Sequence, residues 1–182
     1  MERKKKDMRY LCYPYMRESA ATVDFEIRTD SLAVRIGAAS ALVNAFPNLK
    51  QHLIRLTEMA YHVNGSVRGN LAVTERDLEE LSLLYDQYVG ETKEELNQFV
   101  LPLGSNEASS LHIARSEAKK SVRALHKVSQ ERDVPNVLFD YIHLLANVLF
   151  VMAVYVNKQL GIAEIPFKSK SYPKKRRESE ND

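Results

Sequence analysis

The sequence predicts an all-α protein, a five-helix bundle, and three observations carry that expectation. Apolar residues recur at i, i+3 and i+4 from Thr29 to Gly161, the repeat of helices that each bury one face. Only six Gly and six Pro occur in 182 residues, too few for the turns of an all-β fold or for a glycine-rich nucleotide loop. From Leu144 to Val156 the chain is apolar almost all round, with Asn147 as its one amide, so that segment must be buried. A chain of this length suits one compact domain with a substantial core.

The elements follow in order. Thr29 or Asp30 is the expected N-cap of the first helix, which runs through Leu32, Ile36, Ala39 and Val43 to Phe46. Pro47 stops it by disfavouring helical geometry at the residue before. The second helix carries Leu49, Leu53, Leu56, Met59, Ala60 and Val63 on one face and fades at Asn64-Gly65. The third opens on Thr74-Glu75-Arg76-Asp77, a capping-box-like start. It continues through Leu78, Leu81, Leu84, Tyr85 and Tyr88, past Gly90, to Leu96 and Phe99, until Pro102 and Gly104 mark a loop. Ser105 caps the fourth helix, with Glu107 favourable in its first turn and Leu111, Ala114, Val122, Leu125 and Val128 along it. The fifth has Pro135 near its first position and ends at Gly161. Asp140, His143 and Asn147 interrupt it as a membrane span, which needs about 20 apolar residues, and a central bundle helix is the expectation.

The charge is unevenly spread. Residues 1–9 and 168–182 hold 11 of the 26 Lys and Arg but 5 of the 24 acids, leaving 15 bases against 19 acids between them. The domain reading is therefore a divergent N-terminal segment 1–28, with at least 1–9 disordered, a helical bundle 29–161, and a basic tail 162–182. Lys174-Lys175-Arg176-Arg177 could meet phosphates, but no interleaved aromatics accompany it and the acids Glu178 to Asp182 follow, so nucleic acid is not the expected partner. A lone Cys12 and a charged start, Met1-Glu2-Arg3-Lys4, fit a reducing compartment, the cytoplasm.

Candidate chemistry is sparse. Walker loops, dinucleotide glycine patterns and paired-Cys motifs are absent. Glu58 with His62, and Asp140 with His143, each share a helix face, but no second Glu-x-x-His accompanies them and no metal site is expected. Cys12 has no His partner in sequence. Arg115, Lys119, Lys120 and Arg123 form a cationic stripe on the fourth helix, either a solvated face or a polyphosphate clamp.

Phe99-Val-Leu-Pro-Leu-Gly-Ser105 followed by Leu111-His-Ile-Ala-Arg115 resembles the signature of the PduO-type ATP:corrinoid adenosyltransferases, F-[IV]-L-P-G-G-[ST] and L-H-[IV]-A-R-x3-R-R-A-E-R-R. Tyr141 to Asn157 is similar to that family's fifth-helix motif, and Thr29-Asp30-Ser-Leu32 with Ile36-Gly37-x-Ala39 to its first. The resemblance implies a homotrimer of cobalamin adenosyltransferase-like bundles, with ATP and Mg²⁺ bound between subunits and a corrinoid as acceptor. Reduced cobalt would attack the 5′ carbon of ATP and expel triphosphate. It also implies nucleotide contacts from Lys119, Lys120, Arg123, His143 and Asn147, a corrinoid-side Phe99, and an intersubunit pair of Asp30 and Arg115. The chain departs from the pattern at several positions. The family's N-terminal T-K-T-G-D-x-G loop has no counterpart, since the first glycine is Gly37. R-R-A-E-R-R is replaced by Lys119-Lys120-Ser121-Val122-Arg123-Ala124, N-R-L-S-D by His143-Leu144-Leu145-Ala146-Asn147, and one loop glycine by Leu103. Three readings stand: an adenosyltransferase rebuilt with Lys for Arg, a non-catalytic bundle of the same fold that binds a ligand or a protein partner, or an unrelated helical bundle.

Overall fold

A computed structural model describes residues 8–171. Residues 1–7 and 172–182, including the basic run Lys174–Arg177, lie outside the described residues, and Met8–Tyr10 form a short 3-10 turn. Five helices make the fold: α1 Ala21–Leu42, α2 Pro47–Ser66, α3 Glu75–Glu91, α4 Asn106–Glu131 and α5 Asn136–Gln159. Among the described residues there are no strands beyond a single antiparallel bridge. The packing order is α2, α1, α4, α5, α3, each helix lying against the next.

The core is one apolar cluster, with Phe25, Leu32 and Ile36 of α1, Leu53 of α2, Leu111 and Leu125 of α4 and Leu138, Ile142 and Leu149 of α5 all fully buried. α5 is long and apolar enough to cross a membrane by length and composition, yet two thirds of its apolar stretch is buried inside the bundle. It is the core helix. α3 is the outermost layer, and only Leu81 and Tyr88 on it are buried.

Two helix ends differ from the sequence expectation. α1 begins at Ala21, eight residues before Thr29, because its first N–H is capped from a distance. Ala21 N donates to the Glu131 carboxylate at 3.0 and 3.2 Å, placing an anion at the positive end of the helix. Thr29 is no cap. Its hydroxyl donates to Phe25 O at 2.9 Å, the back-bond of a mid-helix Thr. α3 stops at Glu91 rather than reaching Phe99, because the buried Thr92 hydroxyl donates to Tyr88 O and closes the last turn. Leu96 then sits in a 3-10 turn and Phe99 in extended chain. Nearer to expectation, Thr74 and Asp77 form a reciprocal capping box. Ser105 accepts from Ala108 N as the α4 cap. Pro47 proves to be the first position of α2, and α1 has already ended at Leu42.

Candidate functional site: a cationic cleft along α4

Residues four apart on α4 stack along one face, and Arg115, Lys119, Arg123 and Lys127 make an unbroken cationic line of that kind. The line forms one wall of an open cleft of about 860 Å³. α5 supplies the opposite wall with His143, Ala146, Asn147 and Phe150, and α1 contributes Asp24 and Arg28. All five residues assigned to nucleotide binding, Lys119, Lys120, Arg123, His143 and Asn147, therefore line the same cleft. Six Lys or Arg side chains face one carboxylate, Asp24. Such a surface concentrates a polyanion.

Below the rim lies Glu117, which is buried. Its Oε1 accepts from Lys120 Nζ at 2.6 Å, and its Oε2 lies 3.9 Å from Arg28 without a hydrogen bond. Arg115 Nε is likewise buried without a partner, and the guanidinium stands 5.3 Å from the Phe150 ring centre. Burial holds its pKa below the ordinary guanidinium value. His112, one turn before, has both ring nitrogens buried and unpartnered. Burial first, and the Arg115 charge second, push its pKa down to about 4, so the ring is neutral at pH 7. Within the chain Asp30 does not meet Arg115. It accepts a hydrogen bond from the Tyr61 hydroxyl at 2.9 Å on the α1–α2 surface.

A second feature lies at the N-terminal end of α4, where the loop 99–105 is fixed by the last buried residue of α5. Asn157 accepts from Ser105 N at 3.1 Å and donates to Leu103 O and to Glu164, both at 2.9 Å. Gly104 has φ +129°, and a Cβ there would strike the Asn157 amide, so glycine is required. The chain after α5 returns to this loop: Leu101 N donates to Ile165 O at 2.9 Å and Phe167 N to Phe99 O at 2.8 Å. Phe99 is 73% exposed, with the Phe167 ring 5.8 Å away, and Leu103 and Ile165 are exposed beside them. The result is a small apolar platform.

Asp24, Arg28 and Lys127 escaped the sequence reading. Lys127 was within reach, since it continues the four-residue spacing of the stripe. Arg28 falls in the divergent N-terminal segment 1–28, before the expected start of the first helix. Asn157 closes the fifth-helix motif, and its contacts with the loop 54 and 52 residues earlier leave no local sequence signal. Glu58 and His62 stand 3.7 Å apart as a surface pair, and Cys12 is exposed. Among the described residues no group of three or more His, Cys, Asp or Glu could hold a metal.

The motif residues of this helical bundle converge on one cationic cleft, a surface complementary in charge to a polyanion. The sequence pattern of the cobalamin adenosyltransferases matches residues 15–156, and the chain belongs to that family. It is similar to the corrinoid adenosyltransferase of Bacillus subtilis (strain 168), 27% identical over 146 residues that span 76% of this chain and 75% of that one. A shorter stretch of 58 residues is 41% identical to the corrinoid adenosyltransferase PduO of Citrobacter freundii, covering 32% of this chain and 17% of that protein. Its fold is that of a variant PduO-type ATP:corrinoid adenosyltransferase from Lactobacillus reuteri, solved with cobalamin and ATP, at TM-score 0.73 and 20% identity over 83% of this chain and 88% of the other. An arginine-to-lysine variant from the same organism, solved with ATP, matches at TM-score 0.73 and 21% identity over 82% and 89%.

Proposed function

We infer that the chain binds MgATP in the cleft between α1, α4 and α5 and transfers the 5′-deoxyadenosyl group to the cobalt of a reduced corrinoid. One observation carries this reading: Lys119, Lys120, Arg123, His143 and Asn147, selected from family motifs on two separate helices, line a single cationic cleft. In the reaction the C5′–O bond of ATP breaks and its electron pair leaves with triphosphate while a cobalt–carbon bond forms. The cleft cations stabilise the charge that grows on the leaving triphosphate. Asp24 is the one carboxylate lining the cleft, a donor set suited to Mg²⁺ carried mainly by phosphate oxygens. The exposed Phe99 platform is the corrinoid side. The working unit is a homotrimer in which Asp30 of one copy meets Arg115 of the next, a pairing supported by the unpartnered Arg115 Nε.

Binding is weak by the standard of the family pattern. Charge-assisted hydrogen bonds contribute about 1.5–3 kcal/mol each. Lacking the glycine loop and two Arg forks, the chain loses roughly 4 kcal/mol, about a thousandfold in affinity. ATP is thus expected to bind at high micromolar Kd or weaker, with slow adenosyl transfer. The lost loop and forks also favour a second reading, a non-catalytic nucleotide-binding bundle. An anaerobic assay with ATP, cobalamin and a reductant separates them. Adenosylcobalamin forming above the protein-free rate supports transfer; ATP binding with no product supports the second reading; no ATP binding removes both.

A further inference from the structure

A triphosphate near −4 charge needs fixed donors, and this chain lacks the backbone donors of a glycine loop. Another group at the cleft can supply some of them. α1 runs eight residues N-terminal to Thr29, and those two turns carry Asp24 and Arg28 four apart on one face, both lining the cleft that α4 lines with Lys119 and Lys120. The Arg28 side chain is about half exposed, and its guanidinium makes no hydrogen bond among the described residues. Its nearest acid is Glu117, at 3.9 Å, beyond hydrogen-bond reach, and Glu117 already accepts from Lys120. One buried carboxylate thus keeps two cations side by side while leaving the donors of the Arg28 fork available.

Arg17, the basic residue just before α1, is placed differently. Glu26, on the face of α1 turned away from Arg28, takes both arms of Arg68 at 2.8 and 3.0 Å. Arg68 also bonds Glu18 at 3.1 Å and lies 3.7 Å from the Tyr15 ring centre. The segment holding Arg17 is therefore fastened on the α2 side, and Arg17 does not line the cleft.

Resting on the ATP reading above, the geometry points to Arg28 as a ligand of the ATP phosphates, supplying with one guanidinium fork part of what a glycine loop would. Lys at this position would bring charge without the fork. Titration calorimetry on the full chain, with MgATP and magnesium tripolyphosphate as probes, tests the assignment. Arg28→Ala should weaken both probes by about tenfold or more. Arg28→Lys should recover part of the loss, and Arg17→Ala should change neither. Arg28 is half exposed, so thermal melts of its variants should overlay the wild type. If the wild type binds ATP and Arg28→Ala binds it equally, this inference alone falls. If ATP weakens while tripolyphosphate does not, Arg28 meets the nucleoside and the inference also falls. A wild-type chain that binds neither probe overturns the ATP reading and this inference together.

Discussion

At the loop Leu103–Ser105 the Asn157 amide answers three groups at once, a backbone N–H, a backbone carbonyl and the Glu164 carboxylate, all from its own chain. On α4 the opposite holds: Arg115 Nε on the cleft wall, and both His112 nitrogens and Glu117 Oε2 behind it, are buried within six residues and have nothing bonded to them. Buried polar atoms are paired in roughly 90% of cases. Four orphans in one stretch set this part of α4 apart from the loop, and the trimer and ligand proposed above would each bring groups to it. The loop is closed by its own chain, and the cleft is left open. Removing a partner at the loop should cost folding stability, whereas changes at the cleft should be felt in assembly, binding or pH response.

The largest effect falls at the loop. Asn157→Leu deletes all three bonds and strands a part-buried N–H and carbonyl, each worth about 1–3 kcal/mol. A loss near 4 kcal/mol in urea unfolding is expected, together with freer Phe99 and Phe167, which the loop holds side by side. A loss under about 1 kcal/mol would mean that water replaces the amide, and the contrast between the two regions would fail.

What could be read from sequence divides along the same line. The Thr74–Asp77 capping box was legible because both partners lie within four residues. So was the α4 side of the cleft, since a helix turns spacing directly into a face. The α1 start was not, because its cap is Glu131, 110 residues downstream, while Thr29 offered a false one. Arg28 lies on the two turns of α1 that precede Thr29. The pairing of Ile165 and Phe167 with Phe99 and Leu101 was hidden for a similar reason: non-local bridges leave no local pattern. α5 was read as buried from composition, but its partners, α4 on one side and α3 on the other, became visible only in the fold.

The next effect is on assembly. If Asp30 of a second copy meets Arg115, wild-type protein should scatter light on a sizing column as a trimer, about three times the 20.8 kDa chain. Arg115→Ala should then strand a carboxylate in the interface, a penalty of about 3 kcal/mol, and shift the protein toward smaller species. A wild-type monomer at micromolar concentration would remove the pairing.

The smallest effect is the most diagnostic of what meets α4 behind the cleft wall. His112 is 6% exposed, and burial with the nearby Arg115 charge lowers its pKa from 6.5 to about 4. Between those values the unfolded chain binds a proton that the folded chain refuses, so stability rises with pH across the window. The native state should be fully stable, with respect to this group, above about pH 6.5 and should weaken as pH falls toward 4. A shift of that size corresponds to about 3 kcal/mol if wholly expressed, and relaxation around the ring should leave about 2. Carboxylates such as Asp77, whose pKa the Thr74 bonds lower, also titrate in acid, so the useful quantity is a difference. His112→Leu keeps the apolar contact with Phe150 and removes the proton site. Urea midpoints for the two proteins should run parallel above pH 7 and diverge below it, the variant losing less. A carboxylate brought against His112 by a second copy would favour the charged ring, raise its pKa and erase that divergence. Parallel curves down to pH 4.5 would therefore place an anion of the partner at His112, whereas diverging curves leave the ring without an anionic partner.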